Sequence, residues 1–181
     1  MSGLTTSPGV VVTKRDTLAI ARLAVRKGRA AGLAHAVRER FGVELPSGPR
    51  RVQASELAFI GVGVDAWLAT ADTEVDGFAA SLRNVVDDSA TVSDQIGSYV
   101  VLRLTGRDVA EVLAKFVALD LHPRVFVTGS AASTIASHIP LTLWRLEDGP
   151  EGLPVFELAI PRSYTESFRH TLTESGATWP L

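Results

Sequence analysis

Gly61-Val62-Gly63-Val64-Asp65-Ala66 is the stretch whose spacing comes nearest to a chemical motif, the Gly-x-Gly-x-x-Gly/Ala pattern of dinucleotide binding. That pattern works where it turns a strand into a helix whose N-terminus meets a pyrophosphate. Here Trp67-Leu68-Ala69-Thr70 carries on in strand-forming residues, so the glycines read as a β-hairpin turn. The four histidines, His35, His122, His138 and His170, include no i, i+4 pair. His122 and His138 could meet across a turn at Gly129 and, with Asp120, hold a metal. The plainer reading has His122 hydrogen-bonded locally and His138 packed in a strand. Asp87-Asp88 reads as a solvated loop after a helix rather than an acid/base pair. Arg103, Arg145 and Arg162 lie at or near strands, where a guanidinium suits a carboxylate or phosphate, and Glu157 offers an internal partner. The sequence contains no phosphate-binding loop, nucleophile elbow or His-Glu-x-x-His helix. The residues by themselves therefore assign no catalytic, cofactor-binding or metal-binding role.

The elements that must position these residues fit an ordinary globular composition. The 181 residues are 46% hydrophobic and 21% charged, enough for one well-buried domain or two small units sharing a core. The lack of cysteine excludes disulfides, thiolate nucleophiles, iron–sulfur ligation and sulfur-ligated zinc. No apolar run approaches ~20 residues, and the first residues lack an apolar stretch after a basic start, so a soluble cytoplasmic protein without membrane contact is expected. Charge is uneven. Residues 1–51 hold ten Lys and Arg against Asp16, Glu39 and Glu44, a net +7, while the remainder carries −9. A basic arm for nucleic acid is one reading. No aromatic residue interleaves the cluster, which favours an Arg-rich helix lying against the chain's own acidic part, with no nucleic-acid partner.

Periodicity orders the elements. Residues 17–25 form an apolar β-rich run stopped by Arg26-Lys27-Gly28. Residues 29–41 place Leu33, Val37 and Phe41 on one helical face and end at Gly42. A connector over 45–51 leads to paired strands at 57–62 and 65–71. A helix over 74–86 buries Phe78, Leu82, Val85 and Val86, and a short strand follows near Thr91. Residues 99–104 alternate as a strand. Thr105 can cap the next helix, with Asp108 near its N-terminus and Val109, Val112, Leu113, Phe116 and Val117 inward. Strands follow near 131–138, 141–146 and 155–160. The last helix opens with Ser163 and Glu166 at capping-box spacing, buries Tyr164, Phe168 and Leu172, and stops at Gly176. Each half thus reads β-α-β-β-α-β, the order of a ferredoxin-like unit. The expectation is an α+β fold: residues 1–16 a flexible N-terminus, 17–95 the first unit and 96–181 the second, packed as one compact domain.

The second half also carries a fingerprint. Asp120-Leu121-His122-Pro123, Phe126, Gly129, His138-Ile139-Pro140, Leu143-Trp144-Arg145, Phe156-Glu157-Leu158 and Pro161-Arg162-Ser163-Tyr164 together resemble the gamma subunit of heterotetrameric sarcosine oxidase. The turn at 24–28 and Trp67-Leu68 fit as well, so the resemblance spans roughly residues 17–175. It departs at Val127-Thr128 and at Ile96-Gly97-Ser98, which leaves relatives acting on other N-methyl amino acids open.

The resemblance implies a complex that demethylates sarcosine to glycine, yielding hydrogen peroxide and, with tetrahydrofolate, 5,10-methylenetetrahydrofolate. It implies an alpha subunit with NAD and the folate site, a beta subunit with FAD and covalent FMN, and a delta subunit with zinc. The gamma subunit itself is implied to hold no cofactor and to be non-catalytic. Its fold is similar to the folate-binding domain of aminomethyltransferases, two ferredoxin-like units with exchanged strands. On this resemblance Asp120, His122, Pro123, Trp144, Arg145, Pro161, Arg162 and Tyr164 are structural or interface residues. A free-standing folate-dependent aminomethyl carrier is the alternative on the same fold.

Overall fold

In the computed structural model, which describes residues 9–72 and 76–179, the chain runs as ten strands and four α-helices. The first half contains β1 (Val11–Lys14), β2 (Leu18–Val25), α1 (Ala30–Phe41), β3 (Arg51–Ala54), β4 (Leu57–Gly63), β5 (Ala66–Asp72), α2 (Phe78–Val86) and β6 (Ala90–Asp94). The second contains β7 (Tyr99–Thr105), α3 (Val109–Ala114), β8 (Ala131–Ala136), β9 (Ile139–Arg145), β10 (Val155–Pro161) and α4 (Thr165–Glu174).

Two five-stranded antiparallel sheets result, in the orders β3-β4-β5-β2-β6 and β1-β7-β10-β9-β8. In the first, β5 returns between β2 and β4, and β6 closes beside β2. That is the ferredoxin-like arrangement, with β3 as an added edge strand. In the second, β10 returns between β7 and β9 in the same way. The place beside β7 belongs to β1, which comes from the stretch expected to be a flexible N-terminus. After α4, among the described residues, Thr178 forms a parallel bridge to Val11.

Alternation along each strand gives every sheet two buried faces. On β10, Phe156, Leu158 and Ile160 point to a helical layer, while Glu157 and Ala159 point the other way. The helix-side core of the second sheet joins Leu102, Leu104, Leu143 and Phe156 to Leu113, Phe168 and Leu172. The corresponding core of the first sheet joins Leu23, Phe59 and Ala69 to Leu33, Val37 and Leu82. The inner faces then meet, Leu18, Ile20, Ile60 and Leu68 against Val101, Ala131, Trp144 and Ala159. The layers run helix, sheet, sheet, helix.

Several local expectations change. Residues 51–54, at and just beyond the end of the expected 45–51 connector, form β3, and Ser55 at φ 54° closes a tight hairpin onto β4. Helix α2 begins after Gly77 at φ 80°; residues 74 and 75 of the expected helix lie outside the described residues. Helix α3 stops at Ala114, short of Val117, because Val117 leaves to bridge Ala136 of β8. Asp108, not Thr105, stands at its N-cap. His138 is not in a strand: β8 ends at Ala136, and Ser137 and His138 form a two-residue turn with φ of 44° and 75°. At α4 the capping box does not form. Residues 162–164 make a short 3-10 turn, Thr165 Oγ1 donates to the Arg162 carbonyl at 2.9 Å, and Tyr164 is exposed rather than buried.

Backbone from residues 49–51 stitches the two sheets together. The Gly61 N–H donates to the Arg50 carbonyl at 2.9 Å, and the Ala131 N–H donates to the Pro49 carbonyl at 2.9 Å. The Arg51 N–H donates to the Gly129 carbonyl at 2.7 Å. A Cβ on Gly61 would sit 2.0 Å from the Gly48 carbonyl oxygen, whereas one on Gly48 would meet nothing. Gly61→Ala is therefore expected to cost about 1–3 kcal/mol, as overpacking does. Gly48→Ala should stay within about 0.5 kcal/mol. Urea denaturation of both variants checks the contrast.

Candidate functional site

The chemistry-bearing residues converge on Glu157. The pleat of β10 aims its side chain at the inter-sheet layer, where it is only 3% exposed. Register places it opposite Arg103 on β7 and Trp144 on β9. Its Oε1 accepts from Arg15 Nη1 at 2.5 Å and from Arg103 Nε and Nη2 at 3.0 and 2.7 Å. Its Oε2 accepts from Trp144 Nε1 at 2.9 Å. Arg15 Nη2 continues to Asp72 at the end of β5, so one guanidinium grips both sheets.

Burial pushes the Glu157 carboxyl above its ordinary value, against the pull of Arg15, Trp144 and Arg51. Burial likewise lowers the Arg51 guanidinium, although Glu157 and Asp72 oppose it. For Arg15 burial also lowers, but Glu157 and Asp72 outweigh it and the guanidinium is raised.

Four donors occupy this carboxylate, so it ties strands together and has no geometry for moving a substrate proton. Among the described residues no group of three or more His, Cys, Asp or Glu could hold a metal. His122 is engaged locally: its Nδ1 accepts from the Arg124 N–H at 3.2 Å, and its own N–H donates to Asp120 Oδ1 at 2.9 Å. The exposed His138 sits in the β8–β9 turn. The glycine pattern closes the β4–β5 hairpin with a bulge at Gly61/Gly63 and Asp65 at φ 54°. It opens no helix, so the pyrophosphate contact that the pattern requires is not built.

The fingerprint residues fall into three places. Asp120, His122 and Pro123 open the loop between α3 and β8. Trp144 and Arg145 adjoin on β9; Trp144 holds Glu157, and Arg145 turns its buried guanidinium to the Phe126 carbonyl at 3.0 Å and to Asp148 at 2.9 Å. Pro161 ends β10, and Arg162 donates to the carbonyls of Gly97 and Ile96, each at 2.9 Å, pinning the β6–β7 connection; Tyr164 stands at the N-cap of α4. Sequence reasoning named Glu157 and Arg103 but missed Arg15, whose local context of Lys14 and Asp16 carries no signal of burial. The basic first third stays largely at the surface, where several of its arginines pair with the chain's own acids. Arg29 and Arg26 meet Asp88 at 2.6 and 3.5 Å, and Arg38 meets Glu44.

Comparison with known proteins places this arrangement. The model of the sarcosine oxidase, gamma subunit family matches residues 27–178. The chain belongs to that family. A sarcosine oxidase subunit gamma from Corynebacterium sp. strain P-1 is 30% identical over 167 residues, covering 91% of this chain and 79% of the relative. In the solved heterotetrameric sarcosine oxidase from Corynebacterium sp. U-96, in complex with pyrrole 2-carboxylate, one chain superposes with a TM-score of 0.78 at 27% identity. That match covers 93% of this chain and 85% of the other. The glycine cleavage system aminomethyltransferase T from Bartonella henselae matches with a TM-score of 0.63 at 14% identity, over 96% of this chain and 48% of its own. The gamma subunit thus shares the aminomethyltransferase fold. A shared fold does not import folate chemistry.

Removing the central acid tests the cluster. Glu157→Ala leaves the half-buried guanidinium groups of Arg15 and Arg103 and the buried indole N–H of Trp144 without their shared acceptor, and should cost about 1–3 kcal/mol in unfolding free energy. The sign of the pH response also follows. Glu157 holds its proton more tightly in the folded chain, so its contribution is complete below the unfolded carboxyl value, about 4.3, and is lost as pH rises through the folded value. Urea midpoints of the wild type should accordingly gain on those of Glu157→Gln as pH falls from neutrality. The opposite slope would mean that the arginines outweigh burial.

Proposed function

We propose that this chain is the gamma subunit of a heterotetrameric sarcosine oxidase and acts there as a non-catalytic structural subunit. The observation that carries the reading is the match, across 93% of the chain, to a chain of the Corynebacterium sp. U-96 heterotetramer. The assembled enzyme demethylates sarcosine to glycine, with hydrogen peroxide and, in the presence of tetrahydrofolate, 5,10-methylenetetrahydrofolate as products. Its partners are alpha, beta and delta subunits. NAD and tetrahydrofolate belong to alpha, FAD and FMN to beta, and zinc to delta.

Two features of this chain support a structural part. Its central carboxylate is saturated by its own cations, and its fingerprint residues hold strands and loops in place. Among the described residues no helix is long and apolar enough to cross a membrane, in keeping with a cytoplasmic complex.

Co-expression of the tagged chain with the flavin-containing chains from the same genome tests the reading. The chain should co-purify with them in a fixed ratio and with sarcosine oxidase activity, while the chain purified alone is colourless and inactive. Stoichiometric flavin in the isolated chain, or failure to recruit flavin-containing chains, would overturn it.

A further inference from the structure

Resting on that subunit reading, we infer that the loop over 121–128 is the docking element, presenting Val125 and Val127 to an apolar, acid-rimmed surface on another subunit. Single exposed apolar residues are ordinary on any protein. These two are not single: Val125 is 61% and Val127 is 39% exposed, two residues apart on one loop.

The loop between them is held rather than slack. Phe126 is buried and stacks on Phe156 at 6.0 Å between centroids. The N–H groups of Val125 and Phe126 both donate to the His122 carbonyl, at 2.8 and 2.9 Å, and the Ser130 N–H closes on the Val127 carbonyl at 2.8 Å. The buried Arg145 grips the Phe126 carbonyl from β9. A buried guanidinium spent on loop backbone, next to outward-facing valines, is pre-organisation that lowers the ordering cost of association.

Charge selects the partner. Arg124 lies beside Val125, and Arg50 reaches the Thr128 carbonyl at 3.5 Å; neither has an ion-pair partner among the described residues. In a chain of net charge −2 this patch is locally cationic, so acidic groups on the partner both complement it and steer encounter. A second copy of this chain meeting it isologously would set these arginines against themselves. A single-stranded nucleic acid would be favoured by aromatic rings to stack on, where the loop presents valines.

Co-expression with the flavin-containing chains tests the assignment. Val125→Asp combined with Val127→Asp should cut co-purification at least tenfold, while Val64→Asp, at the 94% exposed tip of the β4–β5 hairpin, leaves it intact. All these sites are solvent-facing, so thermal unfolding of each purified full chain should match the wild type. Arg124→Glu should slow assembly, most at low ionic strength. Normal assembly of the double aspartate variant overturns the docking assignment and leaves the subunit reading standing. A wild-type chain that recruits no partner overturns both. A homodimer in sedimentation that the double variant abolishes would replace the partner with a second copy.

Discussion

A carboxylate in the middle of an apolar strand is the constraint on which this structure turns. Burying Glu157 uncompensated would cost several kcal/mol, so the fold must bring cations to it. Arg103 arrives by strand register alone. Arg15 arrives only because β1 pairs with β7 and the chain then crosses to the first sheet over residues 15–17. At that crossing the Arg15 N–H donates to the Val101 carbonyl at 2.9 Å, while its guanidinium holds Glu157 on one sheet and Asp72 on the other. The exchange of the N-terminal strand and the pairing of the buried acid are thus one event. Trp144 completes the set of donors to this carboxylate, and the aliphatic inter-sheet layer closes beside it.

What was legible in the sequence was local. The amphipathic spacing of Leu33, Val37 and Phe41 with Gly42 behind it reads directly as α1. The alternation of Phe156, Leu158 and Ile160 around Glu157 reads as a strand with one polar inward position. The hairpin at Gly61–Gly63 could be told from a nucleotide loop because strand formers follow it. What was not legible was long-range or depended on backbone that side chains do not announce. Nothing near Val11 marks it as an edge partner of Thr105, since that pairing is set by sheet closure. Ser137-His138 lacks the glycine or asparagine that flags a primed turn, so the sequence alone does not show that the strand ends at Ala136. Tyr164 fell on the expected apolar stripe, but the 3-10 turn at 162–164 rotates it outward.

The same geometry shows how the polar groups are used on the aminomethyltransferase fold of this chain. Four hydrogen-bond donors crowd one buried carboxylate at the centre of the two-unit fold. The polar residues that make the fingerprint, Asp120, His122, Arg145 and Arg162, are spent on backbone carbonyls, N–H groups and one acid, not on an open cleft. A fold so occupied is suited to presenting rigid surface, and residues 121–128 are where that rigidity meets exposed apolar side chains.

A double-mutant cycle on Arg15 and Glu157, read as urea unfolding free energies of the full chain, tests the central claim most directly. If one ion pair both compensates the buried acid and joins the sheets, Arg15→Ala and Glu157→Ala are strongly non-additive. The predicted coupling is about 0.5–3 kcal/mol, with the double variant less destabilised than the sum of the singles. Additivity within about 0.3 kcal/mol would contradict the account, because the two residues would then contribute independently of each other.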